Sequence, residues 1–329
     1  MTFWKHHRNV LILIALGVVP FNQVQARCIR PENWLTPAVE QLADNAKEMM
    51  SKALVANLRN EGFSCTDRDG SAAGYLCISP VGYFPGYPKR VSLVISKKLT
   101  SVSHYHLHLH GWLLNKSTYE STLKDFDFED RFPASEKNNS VLIIPESETH
   151  CRTLDNYFSK PGALDEMIRK VNSLVGRTDK DITAITLSGH SGAQVPVSMV
   201  LRDSQQSYYG KKINTVLLFD ATYSDKTVFK PQLENQAAGS YQYDSMVQFA
   251  KWIQGGSNRT LISTYVEGST TGPESIKLKS QVSQLMPKSN RIEVISYAPK
   301  PVPAGVEPSS YNHFQICYDQ LTSFFKNYP

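Results

Sequence analysis

The 329-residue chain reads as an α/β protein built on a mostly parallel central sheet flanked by helices. Two observations predict this. From Val91 onward, short apolar runs alternate with stretches whose apolar positions recur at helical spacing. The short runs are also continuously apolar, the pattern of strands covered on both faces. A hydrophobic content of 41% with 20% charged residues supplies core enough for one large domain.

In chain order, the first 26 residues, MTFWKHHRNVLILIALGVVPFNQVQA, stand apart. Lys5 and Arg8 precede an apolar run from Val10 to Val19, and Val24-Gln25-Ala26 ends in a small residue, as a cleaved export signal does. The run is short for a bilayer span, so cleavage is expected over a retained anchor. Arg27 before Cys28 argues against lipidation. The chain is thus expected to be periplasmic or secreted, with residues 27–329 as a single domain.

Residues 27–90 read as an N-terminal extension. Apolar positions in 34–60 fall on one helical face. Five cysteines (Cys28, Cys65, Cys77, Cys151, Cys317) in an oxidising compartment suggest two disulfides and one thiol. Cys65 and Cys77, which enclose the polar loop TDRDGSAAGYL, form the first expected pair, and Cys151–Cys317 the second. Five buried thiols are the alternative, since connectivity is not encoded in spacing.

Strands are expected at 91–95, 105–112, 141–145, 182–187, 216–219, 261–266 and 292–297. Helices are expected at 163–175, 193–201, 245–254, 275–285 and 314–325. Two segments, 116–139 and 222–240, read as insertions. The first holds DFDFED (Asp125 to Asp130), either a solvated acidic loop or part of a lid. Without residues 1–26 the net charge falls from +5 to +3, because Lys5 and Arg8 are lost. That bias, with no polybasic run or nucleic-acid motif, points to neither a nucleic-acid partner nor a stable membrane anchor.

The chemistry concentrates where the strand ending at Leu187 runs into Ser188-Gly189-His190-Ser191-Gly192-Ala193 and a helix follows. A serine between small residues at a strand-to-helix turn is a nucleophile elbow. The turn holds the serine in a strained conformation, so bulky neighbours would clash with strand and helix. Gly189 and Gly192 satisfy this, and Ala193 replaces the usual last glycine with another small residue. The N-terminus of the following helix favours negative charge developing near Ser191.

With GHSGA at the elbow, HGW after an earlier strand, an acid after a later strand and a histidine near the end, the chain resembles the α/β-hydrolase family from about Val91 to the C-terminus. The resemblance implies a serine, acid, histidine order along the chain. It implies that His313 is the general base, and no other histidine follows the elbow. Two acids fit, Asp220 at the end of VLLFD and Glu267 at the end of STYVE. Asp220 is favoured because a carboxylate ending a wholly apolar strand needs a partner, although Glu267 occupies the more usual family position. The oxyanion donors implied are the backbone N–H groups of Gly192 and Trp112, with His110, Gly111 and Gly189 in support.

The ladder His104, His106, His108, His110 raises a metal as an alternative, since period 2 places all four on one strand face. Alternate residues are nearly 7 Å apart, so two can share an ion but four cannot. The inner histidines are therefore expected to be hydrogen-bonded core residues that support the elbow, and no metal or other cofactor is called for. The leading expectation is an exported serine hydrolase that cleaves an ester, or an amide, in a small-molecule or polymeric substrate through a Ser191 acyl-enzyme. An exported peptidase or cell-wall amidase, a catalytically inactive binding protein and a metal-dependent hydrolase are the alternatives. The oligomeric state is not encoded.

Overall fold

A computed structural model describes residues 36–67, 74–111, 139–147, 151–223, 245–286 and 291–327, with positions 119, 123, 128 and 132. Residues 1–43 separate as a unit of their own, in which only the first turns of helix α1 (Thr36–Asn60) are described. The remainder is organised by one nine-stranded sheet, in the order β1-β2-β3-β5-β4-β6-β7-β8-β9. The strands are β1 (Ser64–Asp67), β2 (Gly74–Ile78), β3 (Val91–Ser96), β4 (His104–His110), β5 (Ser140–Pro145), β6 (Ala184–His190), β7 (Ile213–Phe219), β8 (Thr260–Val266) and β9 (Ile292–Tyr297). The helices after α1 are α2 (Arg152–Phe158), α3 (Ala163–Leu174), α4 (Gln194–Asp203), α5 (Ser245–Gln254), α6 (Thr271–Leu285) and α7 (Pro308–Asn327).

Every neighbour pair from β5 to β9 is parallel, while β1–β2, β2–β3 and β3–β5 are antiparallel. The continuously apolar runs are the reason: β3 and β5 are buried at every position, as strands covered by helices on both faces must be. Successive residues divide between two cores. Tyr105, Leu107, Leu109, Ile185, Leu187, Val216 and Leu218 belong to one, together with Met167, Ile168 and Val171 of α3. Leu142, Ile144, Leu217 and Phe219 belong to the other, together with Cys317, Leu321 and Phe324 of α7. Period-2 alternation puts these two clusters on opposite sheet faces.

Three expectations are corrected here. The segment 27–90 is more than an extension, because β1 and β2 form a hairpin that continues the sheet beyond β3. SCTD is short and polar, and GYLCI is apolar but only five residues long, so neither shows strand periodicity. They pair with the Cys65–Cys77 disulfide joining directly opposed positions, and β2 also pairs with β3 along its whole length. The second expected disulfide does not form. Cys151 and Cys317 are both buried thiols, one in each core cluster, and so on opposite sides of the sheet. The third correction concerns α7, which begins at Pro308 and not at Phe314. Glu307 carboxylate oxygens accept from the Ser309 and Ser310 N–H groups, and Pro308 occupies the first helical position, where its missing N–H costs nothing. Cys28 and most of 116–139 and 222–240 lie outside the described residues, and α2 appears in a stretch with no helical signal.

Candidate active site

Buried β6 ends at His190, and the chain turns through one 3₁₀ turn, Ser191–Ala193, before entering α4. Ser191 has φ 55°, a left-handed conformation that non-glycine residues adopt only under constraint. The small neighbours are required. A Cβ on Gly189 would lie 2.7 Å from Val197 Cγ2 of α4. A Cβ on Gly111 would collide with the Gly192 backbone nitrogen and lie 2.8 Å from Ser191 Cβ. The end of β4 therefore passes directly against the elbow, at the amide expected to serve as an oxyanion donor. Trp112, the other expected donor, lies outside the described residues.

Asp220 follows β7 immediately and also has positive φ, 45°. Its Oδ2 lies 2.5 Å from His313 Nδ1. Its Oδ1 accepts from the Val266 N–H at 3.3 Å, from Ser269 Oγ at 3.2 Å and from Thr271 Oγ1. Burial alone would raise this carboxyl, but the hydrogen bonds from His313, Thr271 and Val266 together hold it below the usual aspartate value. Glu267, one residue beyond β8, is exposed and is not the partner of His313. Of the two candidate acids, the histidine takes Asp220. His313 sits in the second turn of α7, and its backbone carbonyl accepts from His190 Nε2 at 2.9 Å, with the two rings 4.7 Å apart.

The histidine ladder is bonded to hydroxyls of β6. His104 Nε2 pairs with Thr186 Oγ1 at 2.9 Å, while Ser188 Oγ bridges His106 Nε2 and His108 Nδ1, each at 2.7 Å. His110 Nδ1 donates to the Gly111 carbonyl at 3.2 Å. Burial and the neighbouring His110 push His108 down to about 3. Burial also lowers His110, and burial followed by the charge of His313 lowers His190 strongly, so these rings are neutral. Among the described residues, no three His, Cys, Asp or Glu side chains are placed to share a metal ion.

A cleft of about 590 Å³ brings these pieces to one surface, lined by Ser191, Asp220, Tyr223, Ser310, His313 and Phe314 among others. Ser191 is 5% exposed and lines this cleft.

No family model matches this chain, and no curated protein sequence matches it. Solved structures do. An S-formylglutathione hydrolase from Agrobacterium tumefaciens superposes with a TM-score of 0.50 at 10% identity, covering 80% of this chain and 96% of its own. The thermophilic carboxylesterase EstE1, cloned from a metagenomic library, gives 0.48 at 14% identity over 87% of this chain and 96% of its own. This chain has an α/β-hydrolase fold. Within this fold, three site features lay beyond sequence reasoning. His190, between Gly189 and Ser191, falls where the elbow pattern sets no residue type, yet it bonds the His313 carbonyl. Ser269 and Thr271, in the hydroxyl-rich turn after β8, are donors to the buried Asp220 carboxylate that no motif announces. Tyr223, three residues past Asp220, carried no periodic signal.

Proposed function

We propose that the chain is an exported serine hydrolase that cleaves esters through a Ser191 acyl-enzyme. The observation that carries this reading is the His313–Asp220 pair at 2.5 Å, on the same cleft as a strained serine at a strand-to-helix elbow. Asp220 binds His313 Nδ1, which fixes the tautomer and leaves Nε2 as the base. His313 takes the Ser191 proton as Oγ attacks the acyl carbon, then gives it to the leaving alcohol. Water repeats the sequence on the acyl-enzyme and releases the acid. The Gly192 N–H, and on the family pattern that of Trp112, receive the tetrahedral oxyanion. The described structural neighbour is a hydrolase by name, in keeping with this chemistry. Export is supported by the N-terminal pattern in residues 1–26 and by the Cys65–Cys77 disulfide.

The test is labelling of the purified chain with a fluorophosphonate probe. Wild type should be labelled at Ser191, Ser191→Ala should not be labelled, and His313→Ala should be labelled far more slowly. A folded wild type that is never labelled, or activity that survives Ser191→Ala, would sink the proposal.

A further inference from the structure

We infer that His190 is a positioning residue, whose imidazole ties the backbone of His313 to the strand that carries the nucleophile. This deepens the Ser191 reading and rests on it. His190 is the last residue of β6 and immediately precedes Ser191. It pairs in register with His110 of β4 and Phe219 of β7, and Asp220 follows Phe219. The residue before the nucleophile therefore sits between the strand that leads to Gly111 and the strand that leads to the acid. Along β6, Ile185 and Leu187 join the core that includes α3. Period 2 turns the His190 side chain to the opposite face, where α7 packs. There His190 is 1% exposed, and its ring lies 4.7 Å from the His313 ring and 5.6 Å from the Phe314 ring.

The contact that matters is a hydrogen bond across 123 residues, in which His190 Nε2 lies 2.9 Å from the His313 carbonyl oxygen. A carbonyl oxygen only accepts, so the ring proton is on Nε2. Burial first, and the charge of His313 second, keep the ring from taking another proton. His190 therefore remains a neutral donor when His313 becomes an imidazolium, and it does not compete for the Ser191 proton. His313 is held at two points. Asp220 fixes its ring through Nδ1, 2.5 Å away, and His190 fixes the turn of α7 that carries it. The first hold sets the tautomer, and the second sets where the base stands against the elbow. Within α7 the same carbonyl also accepts from the N–H four residues on, that of Cys317. Losing His190 leaves that carbonyl bonded, so the position of the base suffers more than the stability of the fold. Small displacements of a catalytic group cost rate steeply.

The test is a double-mutant cycle between His190 and His313, read by the fluorophosphonate labelling rate, by turnover of p-nitrophenyl acetate and by melting temperature. His190→Phe keeps a ring and removes the donor, whereas His190→Gln keeps an N–H donor near the Nε2 position. His190→Phe should lower the labelling rate and kcat by about tenfold, with KM and melting temperature held, as expected for one hydrogen bond lost at a positioned base. His190→Gln should recover the rate to within about threefold of wild type. In a His313→Ala background, His190→Phe should slow labelling no further. A His190→Phe rate within about twofold of wild type overturns the inference and leaves the triad standing. A loss that persists in the His313→Ala background, or that His190→Gln does not recover, overturns it in favour of a structural role at the elbow. If His190→Phe does not fold, His190→Met, which fills the same space without a donor, takes its place under the same criteria. A wild type that is not labelled at Ser191 overturns the triad reading, and this inference falls with it.

Discussion

Acidification from pH 7.5 to 5 should cost this protein stability well before its carboxylates titrate, and the cause lies in the sheet. His108 is fully buried between β6 and the aromatic side of the core, with its ring 5.3 Å from Phe128 and one nitrogen on Ser188. Burial pushes it down to about 3, while the same side chain in an unfolded chain titrates near 6.5. The folded value is the lower one. Below about pH 6.5 the unfolded state therefore binds a proton that the folded state refuses, and stability falls as pH falls. At pH 5 the gap is about 1.5 pH units, worth about 2 kcal/mol for His108 alone, against a total stability on the order of 5–15 kcal/mol. His110 and His190 are lowered by burial too and act with the same sign. Asp220 is also held low, so its stabilisation is complete above about pH 4 and does not enter this window. Urea denaturation at half-unit pH steps reads the effect directly. The slope of unfolding free energy against pH near 5 should be at least about 1.4 kcal/mol per unit, one proton's worth. A flat profile between pH 7 and 5 would refute the reasoning.

Two further outcomes follow from the site. Gly111→Ala should abolish probe labelling even where the protein folds, because its Cβ would meet the Gly192 backbone nitrogen, which cannot move without moving the oxyanion donor. Circular dichroism and labelling rate together check this, and a fully labelled Gly111→Ala would mean that the β4 end is not at the site. Asp220→Asn should lower turnover of p-nitrophenyl acetate by about 10⁴-fold through loss of the His313 tautomer, whereas Glu267→Gln should leave it unchanged. The reverse pattern would restore Glu267 as the acid.

The parts of this molecule legible in sequence are those where chemistry and periodicity coincide. The β9 range, 292–297, and the α5 range, 245–254, follow from apolar spacing alone. Gly189 and Gly192 were legible because the strand-to-helix turn at Ser191 dictates their size, and Gly111 only through the family resemblance of HGW. Asp220 could be preferred to Glu267 because burying a carboxylate demands partners, and the structure supplies four. The Cys65–Cys77 link was legible, but the β1–β2 hairpin was not, since strands of four and five residues are too short to show an alternating pattern. The Cys151–Cys317 pairing failed because sequence says nothing about which side of a sheet a cysteine occupies. Tyr223 was missed because Gln194 holds it at the cleft, a contact across 29 residues with no local signature.

The parallel pairing of β4 with β6 runs from His104↔Ala184 to His110↔His190 without a bulge. It works as a ruler. The nucleophile hangs from the end of one strand and Gly111 from the end of the other, so their separation is set by counting residues and not by the flexibility of any loop. Slipping one strand by a single residue would displace Gly111 by about 3.3 Å, more than a hydrogen bond tolerates, and would turn every histidine of the ladder to the opposite face. Insertions are therefore tolerable in the two long segments that interrupt the sheet, but not within these fourteen paired residues.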